Sequence, residues 1–120
     1  MTGRARGGQM EIQVTREGDV AVLSPLGRID SATSPEVEQV VDQQLALGST
    51  RLLFDLAHVD YVSSAGLRVF LVAGKKAQRA AGRIALCNLS PTVREILVIA
   101  GFDRVLATAA SRGEGLAKLI

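Results

Sequence analysis

The run Arg51-Leu52-Leu53-Phe54-Asp55-Leu56 constrains this chain more than any other stretch. It is almost continuously apolar and too short for a helix of ordinary length. That is the pattern of a parallel strand covered on both faces. It feeds through Val59-Asp60-Tyr61-Val62-Ser63-Ser64 into a helix-patterned run from about Ala65 to Ala81. Leu67, Phe70, Leu71, Gly74, Ala77 and Ala81 recur at i, i+3, i+4 and i+7, which defines one buried stripe. Arg68, Lys75, Lys76 and Arg79 lie elsewhere on the cylinder, and Val69 and Val72 flank the stripe, where partial exposure is expected. Gly82 ends the helix, and Arg83 to Leu86 reads as the next strand.

The same alternation extends both ways. Glu11 to Thr15 alternates polar and apolar, Glu17-Gly18-Asp19 is a turn, and Val20 to Gly27 is a second strand, giving a hairpin. Ser34-Pro35-Glu36 is a helix start, with Val37, Val40, Val41, Leu45 and Leu47 as its stripe and Gly48 as its stop. Ser90-Pro91 starts a third helix carrying Val93, Ile96, Leu97 and Ala100, closed by Gly101. A short strand is expected over Phe102–Leu106, and a terminal helix after Ser111 carries Leu116, Leu119 and Ile120. Repeated strand–helix–strand crossovers imply an α/β fold. We therefore expect one domain over residues 10–120, with a mixed, mostly parallel sheet of four to five strands and about four helices. Residues 1–9, rich in Gly and Arg and without core-forming side chains, read as a disordered tail.

In such sheets, functional loops collect at the carboxyl ends of the strands. Three qualify: Arg28–Ser34, His58–Ser64 and Asn88–Ser90. The composition limits what they can do. With Arg4 and Arg6 set aside, 12 basic and 12 acidic residues balance, which leaves no electrostatic footprint for nucleic acid. Aromatic content of 3% argues against a stacking platform for single strands. No apolar stretch approaches the ~18 residues of a membrane span, and no apolar leader follows the N-terminal arginines, so a soluble cytoplasmic protein is expected.

Catalytic signatures are missing. His58 is the only histidine and has no partner at metal-ligand or dyad spacing. Val62 breaks a Gly-x-Ser-x-Gly elbow around Ser64, and no Gly-x-x-x-x-Gly-Lys-Ser/Thr loop occurs. Cys87, the single cysteine, sits in an apolar run and reads as a core residue. Asp30, Asp55 and Asp60 fall near one end of the sheet, where capping, solvation or holding a loop suits them. We therefore expect no enzyme activity, no cofactor and no metal. What remains is a small polar surface of Asp30, Ser31, Thr33, Asp60, Ser63 and Ser64. Ser63 and Ser64 stand at a helix start, where a serine hydroxyl can cap the helix or, alternatively, carry a modification.

The run Val59–Arg68 resembles the signature of STAS domains, specifically bacterial anti-sigma factor antagonists. Gly27-Arg28-Ile29-Asp30, Leu86-Cys87-Asn88-Leu89-Ser90-Pro91 and Gly101-Phe102-Asp103 match as well, so the resemblance spans residues 10–120. It implies a STAS-like fold and a partner switch. An anti-sigma factor that is also a serine kinase, holding its own ATP, binds the unphosphorylated antagonist and then releases it by phosphorylating it. A PP2C-type phosphatase resets the cycle. Ser64 falls on the phosphoacceptor, with Ser63 as second choice, since many relatives carry Asp where this chain has Ser63. Asp30 matches an acidic loop residue beside that site; Gly66, Arg68, Val69 and Val72 lie on the helix presented to the kinase. The resemblance also admits a second reading, a STAS subunit of a lipid-transport or other signalling complex, with Ser63 and Ser64 serving as caps.

Overall fold

The computed structural model describes residues 2–7, by their backbone, and 10–120. The elements in chain order are β1 (Thr2–Gly7), β2 (Met10–Glu17), β3 (Val20–Ile29), α1 (Ser34–Ala46), β4 (Arg51–Asp55), β5 (Val59–Val62), α2 (Ser64–Arg79), β6 (Arg83–Cys87), α3 (Pro91–Ile99), a 3-10 turn (Phe102–Arg104), β7 (Thr108–Ala109) and α4 (Arg112–Lys118). The sheet runs β1-β2-β3-β4-β6-β7, with β5 attached to the far end of β3. β1, β2 and β3 are antiparallel neighbours; β3, β4, β6 and β7 are parallel. The expected α/β architecture is present.

The handedness of crossovers explains how the sheet is covered. The connections β3–α1–β4, β4–α2–β6 and β6–α3–β7 all step across the sheet in one direction. Right-handed crossovers that step the same way lay their helices on the same face. One core accordingly joins Val37, Val40 and Val41 of α1, Phe70, Ala73 and Ala77 of α2, and Val93 and Leu97 of α3 to Leu23, Leu52, Phe54, Ile84 and Leu86 of the sheet. Phe54 and Phe70 meet edge to face, with ring centres 5.1 Å apart, a contact worth about 0.5–1.5 kcal/mol beyond its burial. The alternate residues Val20, Val22, Leu53, Ala85 and Cys87 face the other side, where Leu119 completes a smaller core. So the middle of β4, Leu52-Leu53-Phe54, is apolar because both of its faces are covered.

α4 is fastened to this second face by a buried charge. Asp55 at the end of β4 accepts from Arg112 Nη2 at 2.9 Å and Nε at 3.1 Å, and from Asn88 Nδ2 at 3.1 Å. The Ala57 N–H adds a bond at 3.1 Å. Burial pushes the Asp55 carboxyl up, but the Asn88 and Arg112 bonds, the Ala57 N–H and the Arg112 charge outweigh it and hold the carboxyl below its ordinary value. Gly115 lets α4 sit close, since a Cβ there would come within 2.7 Å of Leu53 Cδ1. Burial, the largest cause, also pushes the Cys87 thiol up to about 11, so at neutral pH it is a protonated core side chain.

Several boundaries differ from those expected. Thr2–Gly7 pairs with β2 as an edge strand, where the composition suggested a disordered tail. Ladder bonds join backbones, so a strand can add at an edge without apolar side chains. Met1, Gly8 and Gln9 lie outside the described residues. Val59–Val62, read as part of a loop, is a second parallel partner to β3 beside β4, and the sheet has seven strands. Phe102–Arg104 forms a 3-10 turn in place of a strand, which falls instead at Thr108–Ala109. Leu47 caps α1 and is exposed. Gly82 does not take the left-handed turn that ends α2. Ala81 does, at φ 63°, while Gly82 is required because a Cβ there would fall 1.8 Å from the Thr50 carbonyl oxygen.

Two outcomes follow for stability. Ala81→Gly removes a left-handed alanine and should raise stability by about 1 kcal/mol, whereas Gly82→Ala should cost on the order of 3 kcal/mol; urea midpoints measure both. Arg112→Ala should cost about 1–3 kcal/mol at pH 7 by leaving the Asp55 carboxylate buried without its cation. Because the folded value of Asp55 lies beneath its ordinary 3.8, its contribution is whole at neutral pH and is lost as pH falls through the folded value. The gap between wild type and Arg112→Ala should therefore close in unfolding curves taken below pH 3.8.

Candidate functional site

The site is built around the carboxyl end of β3. Its ladder with β5 shifts register between Gly27 and Arg28, and Gly27 adopts φ 108°. The Ile29 carbonyl then accepts from the Ser63 N–H at 2.9 Å. A Cβ on Gly66 would meet that same Ile29 oxygen and Val62 Cγ1, each at 2.7 Å. Glycine at 66 thus allows the first turn of α2 to press against the end of β3. Gly66 is buried, so its part in the expected partner surface is steric and internal.

The Asp30 loop is held from within. Asp30 Oδ1 accepts from the Ala32 and Thr33 N–H groups at 3.0 and 3.2 Å, and the Asp30 N–H donates to Thr33 Oγ1 at 3.0 Å. Thr33 Oγ1 donates to the Arg28 carbonyl at 2.7 Å. Ser34 Oγ donates to the Asp30 carbonyl. Some desolvation pushes the Asp30 carboxyl up. The Ala32 and Thr33 backbone bonds, the Thr33 hydroxyl and the Arg28 charge more than offset it and hold the carboxyl below its ordinary value. Thr33 is buried and its hydroxyl is fully used, so it belongs to the loop's interior and not to an outer surface. Arg28 also stacks over Tyr61 at 4.5 Å and lies 3.8 Å from Asp30 Oδ2, tying the Asp30 loop to β5.

The two serines separate cleanly. Ser63 is the N-cap of α2, extended at φ −84° and ψ 178°, and its hydroxyl accepts from the Gly66 N–H at 3.4 Å. Ser64 is the first helical residue and is exposed, and its hydroxyl makes no hydrogen bond among the described residues. It opens onto a hollow of about 530 Å³ between the starts of α1 and α2. Ser31, Ser64, Arg68, Val69 and Val72 line this groove together. Val69 reaches it only from the core side, being 4% exposed where partial exposure was expected, because it packs into the main core. Val72 is half-buried and Arg68 exposed. Asp60 is exposed on β5 and lies outside the groove.

Neighbours that the sequence reading passed over complete the surface. Ser34, Pro35 and Glu38 form the α1 wall of the groove. Lys76 bridges the helices above it, at 2.7 Å from Asp42 and 3.4 Å from Glu38. The α1 stripe of Val37, Val40 and Val41 carried the signal, since it leaves Glu38 beside the buried face. On the other side of Ser64, a smaller hollow of about 270 Å³ is lined by Tyr61, Ser63, Leu67, Ile96 and Ile99. Ile99 is 77% exposed; its position off the α3 stripe could have flagged it. Among the described residues no group of His, Cys, Asp and Glu is placed to hold a metal ion, and no helix is long and apolar enough to cross a membrane.

Comparison with known proteins places this geometry. BtrV of Bordetella bronchiseptica, named as a candidate anti-sigma factor antagonist, is 40% identical over 103 residues, covering 86% of this chain and 89% of its own. An anti-sigma factor antagonist from Mycobacterium paratuberculosis superposes with a TM-score of 0.83 at 22% identity, covering 92% of this chain and 94% of the other. The anti-sigma factor antagonist SpoIIAA, in its unphosphorylated form, superposes with a TM-score of 0.75 at 20% identity, covering 89% and 94%. Residues 11–115 match the family model of the STAS domain, and the chain belongs to the STAS domain family.

Proposed function

We propose that this protein is an anti-sigma factor antagonist of the cytoplasm. It acts by binding, not by catalysis, and its partner is an anti-sigma factor that is also a serine kinase. Phosphorylation of Ser64 by that partner, from ATP held on the kinase, ends the complex, and a PP2C-type phosphatase restores it. The observation that carries this reading is the division of labour between the two serines. Ser63 caps α2, while Ser64 stands exposed with an uncommitted hydroxyl at the rim of the groove. The names of the relatives support the partner class.

The physics of the switch is local. A phosphate adds about −1.5 to −2 charges. At the first residue of α2 it meets the helix's unpaired N–H groups and positive dipole end, so the domain itself tolerates it. The cost falls on the partner, whose face must accommodate a neutral hydroxyl between Ser31, Arg68 and Val72. A loss of about 3 kcal/mol there weakens binding a hundredfold or more.

Calorimetric titration against the cognate anti-sigma kinase tests the proposal. Ser64→Ala should bind within about threefold of wild type and take up no phosphate from ATP, while Ser64→Asp should bind at least ~100-fold more weakly. Ser63→Ala should lose about 1 kcal/mol of stability with its cap and still be phosphorylated at Ser64. Undiminished binding by Ser64→Asp would reject the switch, and phosphate found on Ser63 would move it by one residue.

A further inference from the structure

The second half of α2 is covered less completely than the first. Leu71 and Gly74 belong to its apolar stripe by spacing, yet both are only half-buried. With Ile84 and Leu106 they floor a hollow of about 530 Å³ between α2, the start of β6 and the chain leaving the 3-10 turn. Val105 stands at its lip, 67% exposed. Ten residues of helix separate Gly74 from Ser64, a rise of about 15 Å, so this hollow is distinct from the Ser64 groove.

Two independent features mark it as built to receive something. The first is Gly74. Gly66, Gly82 and Gly115 are glycines because a Cβ would collide with a neighbour. A Cβ on Gly74 would meet nothing nearer than Ile84 Cδ1 at 3.7 Å, an ordinary contact. The fold therefore has room for alanine in a helix interior where glycine costs about 1 kcal/mol. What glycine adds is open space on the floor. The second feature is charge. Lys75 and Arg83 line the hollow and no carboxylate does. Neither cation forms an ion pair among the described residues, a state shared with Arg68, Arg79 and Arg94; what sets these two apart is that they flank an apolar floor.

We propose that this hollow docks a segment of another protein that carries an apolar anchor flanked by carboxylates. The anchor occupies the space over Gly74, and the carboxylates meet Lys75 and Arg83. The chain's own residues 1–9 have the wrong charge for it, holding Arg4 and Arg6 and no acid.

Amide chemical shifts of the full chain, titrated with two synthetic peptides, test this. The probes are Asp-Glu-Leu-Leu-Glu-Asp and Lys-Lys-Leu-Leu-Lys-Lys. The acidic probe should shift the amides of Gly74, Gly82 and Ala107 saturably, with a dissociation constant of about 1 mM or tighter, and the basic probe should not. Gly74→Ala should melt above wild type yet bind more weakly, and Gly74→Leu should bind at least ~10-fold more weakly. Lys75→Glu combined with Arg83→Glu should abolish the shifts. No saturable shift at these amides up to ~10 mM acidic probe would overturn the proposal, as would equal response to the basic probe or full affinity in Gly74→Leu. Dimerisation through this face in sedimentation would overturn it in favour of a second copy of the chain.

Discussion

The Ile29 carbonyl is the point on which the rest of the site depends. It closes β3, accepts from the Ser63 N–H, and lies where a Cβ on residue 66 would have to go. Three demands meet on one oxygen, and only glycine at 66 satisfies them together. Because that contact is close, α2 begins immediately beside the Asp30 loop, and Ser31 and Ser64 come to share a groove. β3 leaves its ladder with β4 at Leu23 and takes up β5 from Gly27, and the register shift at Gly27/Arg28 falls within that second ladder, just before Ile29.

Coverage of the two sheet faces is unequal for a topological reason. Three crossovers stepping in one direction place α1, α2 and α3 together, which concentrates helix starts and strand ends on one side. The polar loops that carry Asp30 and Ser63 are thereby neighbours, though far apart in sequence. Among the described residues the opposite face has only seven-residue α4 to shield it, and a buried ion pair substitutes there for apolar area.

Much of this was legible beforehand because periodicity is strong where burial is one-sided. The α2 stripe named Leu67, Phe70 and Ala77, and all three are buried. The Ser63 and Ser90 caps followed from serine placed before a helical pattern. Legibility failed where the backbone decides. β1 pairs through its main chain and has no apolar signature. β5 is four residues long with Asp60 exposed in the middle, too short to show alternation. The site was readable as a neighbourhood but not as a surface: Thr33, Gly66 and Val69 belong to it from beneath. Their burial depends on distant partners such as the Arg28 carbonyl and Ile29, which no local pattern discloses.

The fastening of α4 has a consequence for the order in which the molecule assembles and comes apart. Arg112 reaches Asp55 across 57 positions and Ser24 across 88. Contacts of such separation are made only after the chain between them has been organised, since closing so long a loop is repaid by few bonds. The main core, by contrast, grows by adding one crossover at a time to its neighbour. Closing the back of the sheet therefore brings the end of the chain against strands formed near its start and middle. Acid reaches both sides of the molecule, through Asp55 behind the sheet and through Asp30 beside the Ser64 groove, since each carboxyl is held below its ordinary value in the folded chain.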